Sequence, residues 1–519
     1  MKFIKGQNRD QALLFPVSLD QSVDPESEAR VIDVFVDSLP LKEYGFKVDF
    51  DENGRPAYHP ADLLKLYIYG YLNKIRSSRD LEKETKRNIE VMWLLKCLQP
   101  DHNTIANFRK DNSKAISKVF RATVQIAKNF NLIGGKLIAG DSSKFRAQNS
   151  KKNNYNKAKI QRHTEYIDKK LEEYNSILSE QDQDTKEITQ KEINKQNERK
   201  KKYQDLQRKL DDTGEVQIST SDPDSRQMII RNNITEVAYN VQTTIDDKHY
   251  LAIDYKVTNK NDGKAMGIML RRAKSILRNN NFTALYDKGY HTGSEFKIAS
   301  DLGIQAIVAI PGLPSSSHAP HPDYNVSEFK YIKESDYYVC PQGQVLSTNG
   351  KWYSRKRGSS LKVKHYKTPA CKHCEYLLLC TRNTQGRGRV VERTENADYI
   401  EKNRNNVANN QQLYKRRQQI VEHPYGTIKR QWGFSYITTK KTINRASADV
   451  GLMFIAYNLK RMINILGKEA FARLVVSLFS CFFGYIYSIK RILSHFFKLL
   501  IFQKSNFQFS GYFTKILYI

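Results

Sequence analysis

The sequence predicts an α/β protein: a mixed five-stranded sheet with flanking helices, preceded by an all-helical N-terminal domain and interrupted by two insertions. Three observations carry this. Residues 61–75, ADLLKLYIYGYLNKI, place Leu64, Tyr67, Ile68, Tyr71, Leu72 and Ile75 at helical spacing. After Asn131 the period changes to short apolar, β-branched or aromatic runs closed by Asp, Gly, Asn or Pro, which is strand chemistry. Stretches of helical periodicity separate the later runs, so strands and helices alternate around one sheet.

In chain order, residues 1–130 form the helical domain. SRDLEKETKRNIEVMWLLKC and TIANFRKDNSKAISKVFRATVQIAKNF follow the first helix as two more. Short basic helices in succession suit a DNA-binding module of helix-turn-helix type, and equally suit any small bundle. The five strands are KLIAGDSS, EVAYNVQTTIDD, HYLAIDYKVT, FTALYDKGYH and IQAIVAIPG, giving a core of 131–150, 215–325 and 395–466. Residues 151–214 are almost purely polar, with Ile167, Leu171, Tyr174 and Leu178 at 4-3-4 spacing, so a helical hairpin or coiled coil is expected there. Residues 326–394 form the cysteine-containing insertion. Residues 467–519 are a far more apolar C-terminal tail, read as a frameshifted or read-through extension. Its longest uncharged run, Leu474 to Ile489, falls short of a membrane span and reads as a packed or membrane-adsorbing helix, and no membrane partner is expected.

The chain has 85 Lys and Arg against 55 Asp and Glu, a net charge of +30, which makes polyanions the leading partners. Hydrophobic residues at 39% exclude a largely disordered protein. The N-terminus, MKFIKGQNRDQALLF, turns polar too soon for a signal peptide, so the six cysteines are expected as thiols or metal ligands rather than disulfides.

Three carboxylates stand out. Asp141 closes the first strand in AGDSSKFRA, and Asp287 closes the fourth in LYDKGYH. If strand four lies beside strand one, both reach the same end of the sheet. Glu422 sits in LYKRRQQIVEHPYGTIKRQWGF, where residues 401–445 hold ten Lys or Arg against Glu401 and Glu422. Shared carboxylates can hold two hard divalent cations for in-line phosphoryl displacement. The plainer readings are that Asp141 caps a turn with Ser142 and Ser143, that Asp287 opens the turn DKGY, and that Glu422 pairs with neighbouring cations.

DSSKF, DKGY and IVEHPYGTIKRQWGF, in this order, resemble the DDE transposases of bacterial insertion sequences, closest to insertion-sequence family 1182. The resemblance runs from about Gln11 to Leu466 and includes SDPDSR at 221–226, YNVQ at 239–242 and YNLKRMINIL at 457–466. It implies an RNase H-like catalytic core in which Asp141, Asp287 and Glu422 bind two Mg²⁺ (or Mn²⁺), cut DNA at the element's ends and join the 3′-OH to target DNA. Related transposases carry a Tyr, Arg, Glu, Lys pattern on the catalytic helix. Here Glu422 and Lys429 keep its spacing, but Lys415 and Gln418 occupy the Tyr and Arg positions, with Tyr414 and Arg417 one residue early. On a regular helix that turns them about 100° away, and a one-residue bulge near Pro424 would restore the face. The resemblance assigns Arg417, His423, Lys429 and Arg430 to DNA contact, and Trp432 to base stacking or to core packing.

Cys340, Cys371, Cys374 and Cys380 read C-x30-C-x2-C-x5-C, a set able to hold structural Zn²⁺, with His373 as a substitute ligand; the alternative is free thiols in a metal-free insertion. Cys97 and Cys481 read as core residues. The reading is a DNA transposase that acts, as at least a dimer, on its own terminal inverted repeats and on double-stranded target DNA. It is expected in the bacterial cytoplasm at the nucleoid, without a small-molecule substrate. The alternatives are an RNase H-like endonuclease without strand transfer, and an inactive DNA-binding remnant.

Overall fold

The structure, a computed structural model, describes residues 18–49, 56–180, 183–231, 234–312, 317–355, 361–383 and 388–478. Cys481 and most of the apolar tail lie outside these residues. Two compact units result, one of residues 1–130 and 452–519, the other of residues 131–451.

The first unit is helical. The 61–75 pattern becomes the helix Pro60–Leu72, started by proline and by His59, whose side chain accepts the Ala61 N–H; Leu64, Tyr67, Ile68 and Tyr71 are fully buried. Each of the other two predicted helices is split. Asn88 accepts the Glu90 and Val91 N–H groups and starts a new helix, Ile89–Leu94, after Ser78–Arg87. Asn112 separates His102–Asp111 from Ser113–Asn129. Cys97 is exposed rather than core, because it follows Lys96 into the left-handed region at φ 62° and so leaves the helical face. The end of the long helix Ile443–Leu466 belongs to this unit: Phe454 packs edge-on against Phe120, and Asn458 donates to Thr123. Residues 468–478 are also helical, with Phe471 and Val475 fully buried and Phe471 against Phe130. The described part of the tail is thus built into the helical unit. No helix among the described residues is long and apolar enough to cross a membrane.

The second unit is built on one sheet. Strand β1 (Leu137–Arg146) is followed by the short pair β2 (Asn154–Asn156) and β3 (Gln217–Ser219), then β4 (Arg226–Arg231), β5 (Ile234–Asp246), β6 (Ala252–Thr258), β7 (Thr283–Tyr286) and β8 (Gln305–Val308). The sheet order is β4-β5-β1-β7-β8, with β6 also on β5. The five predicted strands are β1, β5, β6, β7 and β8, and the fourth does lie beside the first, in parallel. The sheet has six strands rather than five because β4 pairs with the start of β5 as an additional hairpin.

Between β1 and β4 the chain forms a helical hairpin, Lys157–Glu180 and Gln183–Thr213, rooted on the β2–β3 pair. Ile160, Ile167, Tyr203, Leu206 and Leu210 form its apolar seam near the root. The cysteine-containing insertion holds two three-stranded sheets. One comprises β9 (Lys330–Ile332), β10 (Tyr337–Val339) and β11 (Val345–Leu346); the other comprises β12 (Tyr353–Ser354), β13 (Lys362–Tyr366) and β14 (Val391–Thr394). It has its own core, led by Tyr324, Tyr338 and Tyr366 with Phe329.

Candidate active site

Asp141 does not end its strand. It lies mid-strand in β1, opposite Thr243 in the antiparallel register with β5, which continues to Arg146. What ends is the other neighbour: β7 pairs with β1 through Ala139 and stops at Tyr286, leaving the β1 edge uncovered at Asp141. Asp287 follows Tyr286 directly and so emerges at that gap. Gly140 permits the approach, since a Cβ there would stand 2.0 Å from the Tyr286 ring. The turn role predicted for Asp287 is also present, since it caps a short 3₁₀ turn by accepting the Gly289 N–H at 2.9 Å; the turn predicted at Asp141 is not, because Ser142 and Ser143 continue the strand, and Asp141 only accepts the Ser142 N–H at 2.8 Å.

Burial pushes the Asp141 carboxyl up to about 6, opposed by Arg417 and the Ser142 N–H and assisted by the like charges of Asp287 and Asp262. Asp262 escaped the sequence reading. It accepts from the amides of Asn240 and Gln242, each at 2.7 Å, and from Lys144 at 3.1 Å. Burial works against its charge, yet those donors hold its carboxyl below the usual range. The signal was present in YNVQ, where two amides at alternate positions share one face of β5.

The helix Gln411–Tyr425 crosses this end of the sheet. Tyr414 donates to the Tyr286 carbonyl at 3.1 Å, and Arg417 lies 3.6 Å from the Asp141 carboxylate. The buried Arg417 Nη1 makes no hydrogen bond. Lys415 and Gln418, in the Tyr and Arg positions of the family pattern, are exposed. After Pro424 the helix widens into a π-helical turn, Gly426–Gln431. Its surplus residue sets the following side chains back by about 100° and returns Lys429 to the face of Arg417. Lys429 donates to the Ser143 hydroxyl at 2.9 Å and the Lys144 carbonyl at 2.8 Å, over the Phe145 ring. Burial and the neighbouring Lys144 lower its ammonium to about 8.

The widening comes after Glu422. Five residues beyond Arg417 on a regular helix, Glu422 points about 140° away from it, whereas Val421 points only about 40° away. Val421 is accordingly buried, and Glu422 is exposed and accepts from Gln418 at 2.9 Å. Asp141, Asp287, Arg417 and Lys429 therefore surround one edge, and Glu422 does not join them. His423 stacks on Tyr250 with ring centroids 5.1 Å apart, Arg430 is exposed, and Trp432 packs edge-on against Phe434.

In the insertion, Cys340, Cys371, Cys374 and Cys380 line one cavity of about 30 Å³, while His373 is exposed and lies off it. Among the described residues, no three His, Cys, Asp or Glu side chains already stand where they could hold a metal ion.

Comparison with known proteins gives two family matches. Residues 17–111 match the Transposase domain (DUF772), and residues 339–463 match the Transposase DDE domain, a span that includes the cysteines and the helix carrying Arg417 and Glu422. No curated protein matches the chain. One solved structure, the cryo-EM structure of a piggyBac transposase synaptic complex with hairpin DNA, is similar at 10% identity over 89% of this chain and 82% of that one. Its TM-score of 0.28 is too low to bear on function. The chain is thus similar to transposases in two separate segments, the second of them to a DDE domain.

Proposed function

We propose that the chain is a DNA transposase of insertion-sequence family 1182 that binds the terminal inverted repeats of its own element, cleaves at their ends and joins the 3′-OH to target DNA. The observation that carries this is the meeting of Asp141 and Asp287 at the one edge of β1 that β7 leaves open. The sheet order supports an RNase H-like core, and the net charge of +30 supports double-stranded DNA as partner. The working form is at least a dimer, in the bacterial cytoplasm.

Divalent cations, Mg²⁺ or Mn²⁺, held among such carboxylates supply Lewis-acid activation of a water or a 3′-hydroxyl. Two of the three carboxylates fit: Asp141 and Asp287 repel each other beside a partly exposed edge, an arrangement a cation relieves. Glu422, facing solvent, does not fit in this helical register. Arg417 supplies positive charge at Asp141, and Lys429 ties the helix to β1 beside it.

Lys429 also gives a pH signature. With its folded pKa lowered to about 8, it loses its charge as pH rises through that value. Affinity for a DNA duplex should therefore weaken above about pH 8, and Lys429→Arg should flatten that dependence between pH 7 and 9. An unchanged pH profile in the variant would remove Lys429 from phosphate contact.

The reading is tested by incubating the protein with Mg²⁺, a labelled duplex carrying the element's end and a target plasmid. Joined product is expected. Nicking without joining would favour the endonuclease, and binding without cleavage the inactive remnant.

A further inference from the structure

The four cysteines of the insertion are not absorbed by the reaction at Asp141, and they come from two separate sheets. Cys340 follows β10 and opens a tight turn in which its carbonyl accepts the Gly343 N–H at 2.9 Å, with Gly343 at φ 74°. Cys371, Cys374 and Cys380 lie between β13 and β14, and the Cys374 N–H folds back onto the Cys371 carbonyl at 3.4 Å. None of the four is in a disulfide. All four face one small cavity.

Two neighbouring residues shape it. Gly388 sits at φ 65° against Cys371, where a Cβ would come within 2.3 Å of the Cys371 Cβ and 3.1 Å of its sulfur. Only glycine lets the returning chain close over that thiol. Arg389 comes next and lines the cavity; its buried Nε has no hydrogen-bond partner, while its Nη1 donates to the Cys380 carbonyl. A buried guanidinium N–H without an acceptor, beside four thiols, is a donor placed for a thiolate.

We propose that Cys340, Cys371, Cys374 and Cys380 hold one tetrahedral zinc ion, with Arg389 as its counter-charge, and that this ion clamps the β9–β11 sheet to the β12–β14 sheet. The thiols line the cavity without yet closing on its centre, and Zn–S bonds of about 2.3 Å draw them inward. Each thiol gives its proton to solvent as it ligates, so four protons leave for one ion bound. Four thiolates around Zn²⁺ leave a net charge of −2, which the Arg389 guanidinium half offsets. Because each ligating thiol must lose its proton, ion capture weakens toward acid pH.

The test uses the full chain, purified without chelator, with Zn²⁺ and Co²⁺ themselves as probes. About one zinc per chain is expected, and Co²⁺ exchange should give the intense thiolate-to-cobalt absorption of a tetrahedral sulfur site. Cys340→Ser and Cys374→Ser should lose that absorption, whereas Cys97→Ser and Asp141→Asn should keep it. Arg389→Gln should weaken Co²⁺ affinity by about 10–100-fold, with partial recovery in Arg389→Lys. The cobalt titration of the unaltered chain needs no variant to fold. Absence of the sulfur band there, with all four thiols alkylated equally fast with and without Zn²⁺, would overturn the proposal. Because the readout is spectroscopic and survives loss of Asp141, failure here leaves the transposase reading standing, and the reverse also holds.

Discussion

Asp141→Asn and Asp287→Asn should each bind the element's end as the unaltered chain does and cut it at least about 1000-fold more slowly, a loss of roughly 4 kcal/mol in the transition state, whereas Glu422→Gln, facing solvent in this helical register, should cut within a few-fold of the original rate. Stability should move differently at each position. Asp141 is held up to about 6 by burial and by like charges, so its ionised form opposes folding at pH 7. The unfolded carboxyl titrates near its ordinary value and the folded one higher, so the folded state binds more protons between them and stability falls as pH rises through that window. Removing the charge should therefore raise stability in the metal-free protein by roughly 1–3 kcal/mol at pH 7, and flatten the slope between about pH 4 and 6. Glu422→Gln, at an exposed position, should leave the melting temperature unchanged. A variant that cuts at the original rate leaves the catalytic set, whatever its stability.

Gly140→Ala should be among the most damaging single-methyl changes in the sheet. The new Cβ would lie 2.0 Å from one ring carbon of Tyr286 and 2.4 Å from another, and Tyr286 is only 1% exposed, packed against Tyr290. Neither strand can yield cheaply, because both are interior to the sheet. Overpacking at this level sits at or above the upper end of the usual range of about 1–3 kcal/mol. The damage should reach function as well, since Tyr286 precedes Asp287 and its carbonyl accepts the Tyr414 hydroxyl. The expected result is a clear drop in melting temperature with loss of cleavage, and recovery of stability but not of cleavage in Gly140→Ala, Tyr286→Val. A single variant that melts like the original would show that the ring has room to move.

Local chemistry explains what was legible in the sequence. The five core strands could be read because each holds an apolar, β-branched or aromatic run closed by a turn former, and the nearness of Asp141 and Asp287 followed from topology. The two split helices turn on Asn88 and Asn112, whose side chains cap as readily as they face solvent. The tyrosine core of the insertion went unseen because its members are scattered between 324 and 366 without any period. On the catalytic helix, a bulge near Pro424 was foreseen, but its side of Glu422 was not: a surplus residue after position 422 aligns Tyr414, Arg417 and Lys429, and only one before it would have turned Glu422 inward as well.

The root of the helical hairpin bears on how the sheet assembles. The pairing of Asn154 with Ser219 joins two points 65 residues apart in sequence, so the chain leaves the core and returns to it at nearly one place. The hairpin's helices are neighbours in sequence and pack on each other, so they can form before any strand pairs. Once they do and β2 pairs with β3, the chain left to close between β1 and β5 is residues 147–153 and 220–233, about a quarter of the span from 147 to 233. The hairpin's detour thus adds little closure entropy to the strand on which Asp141 sits.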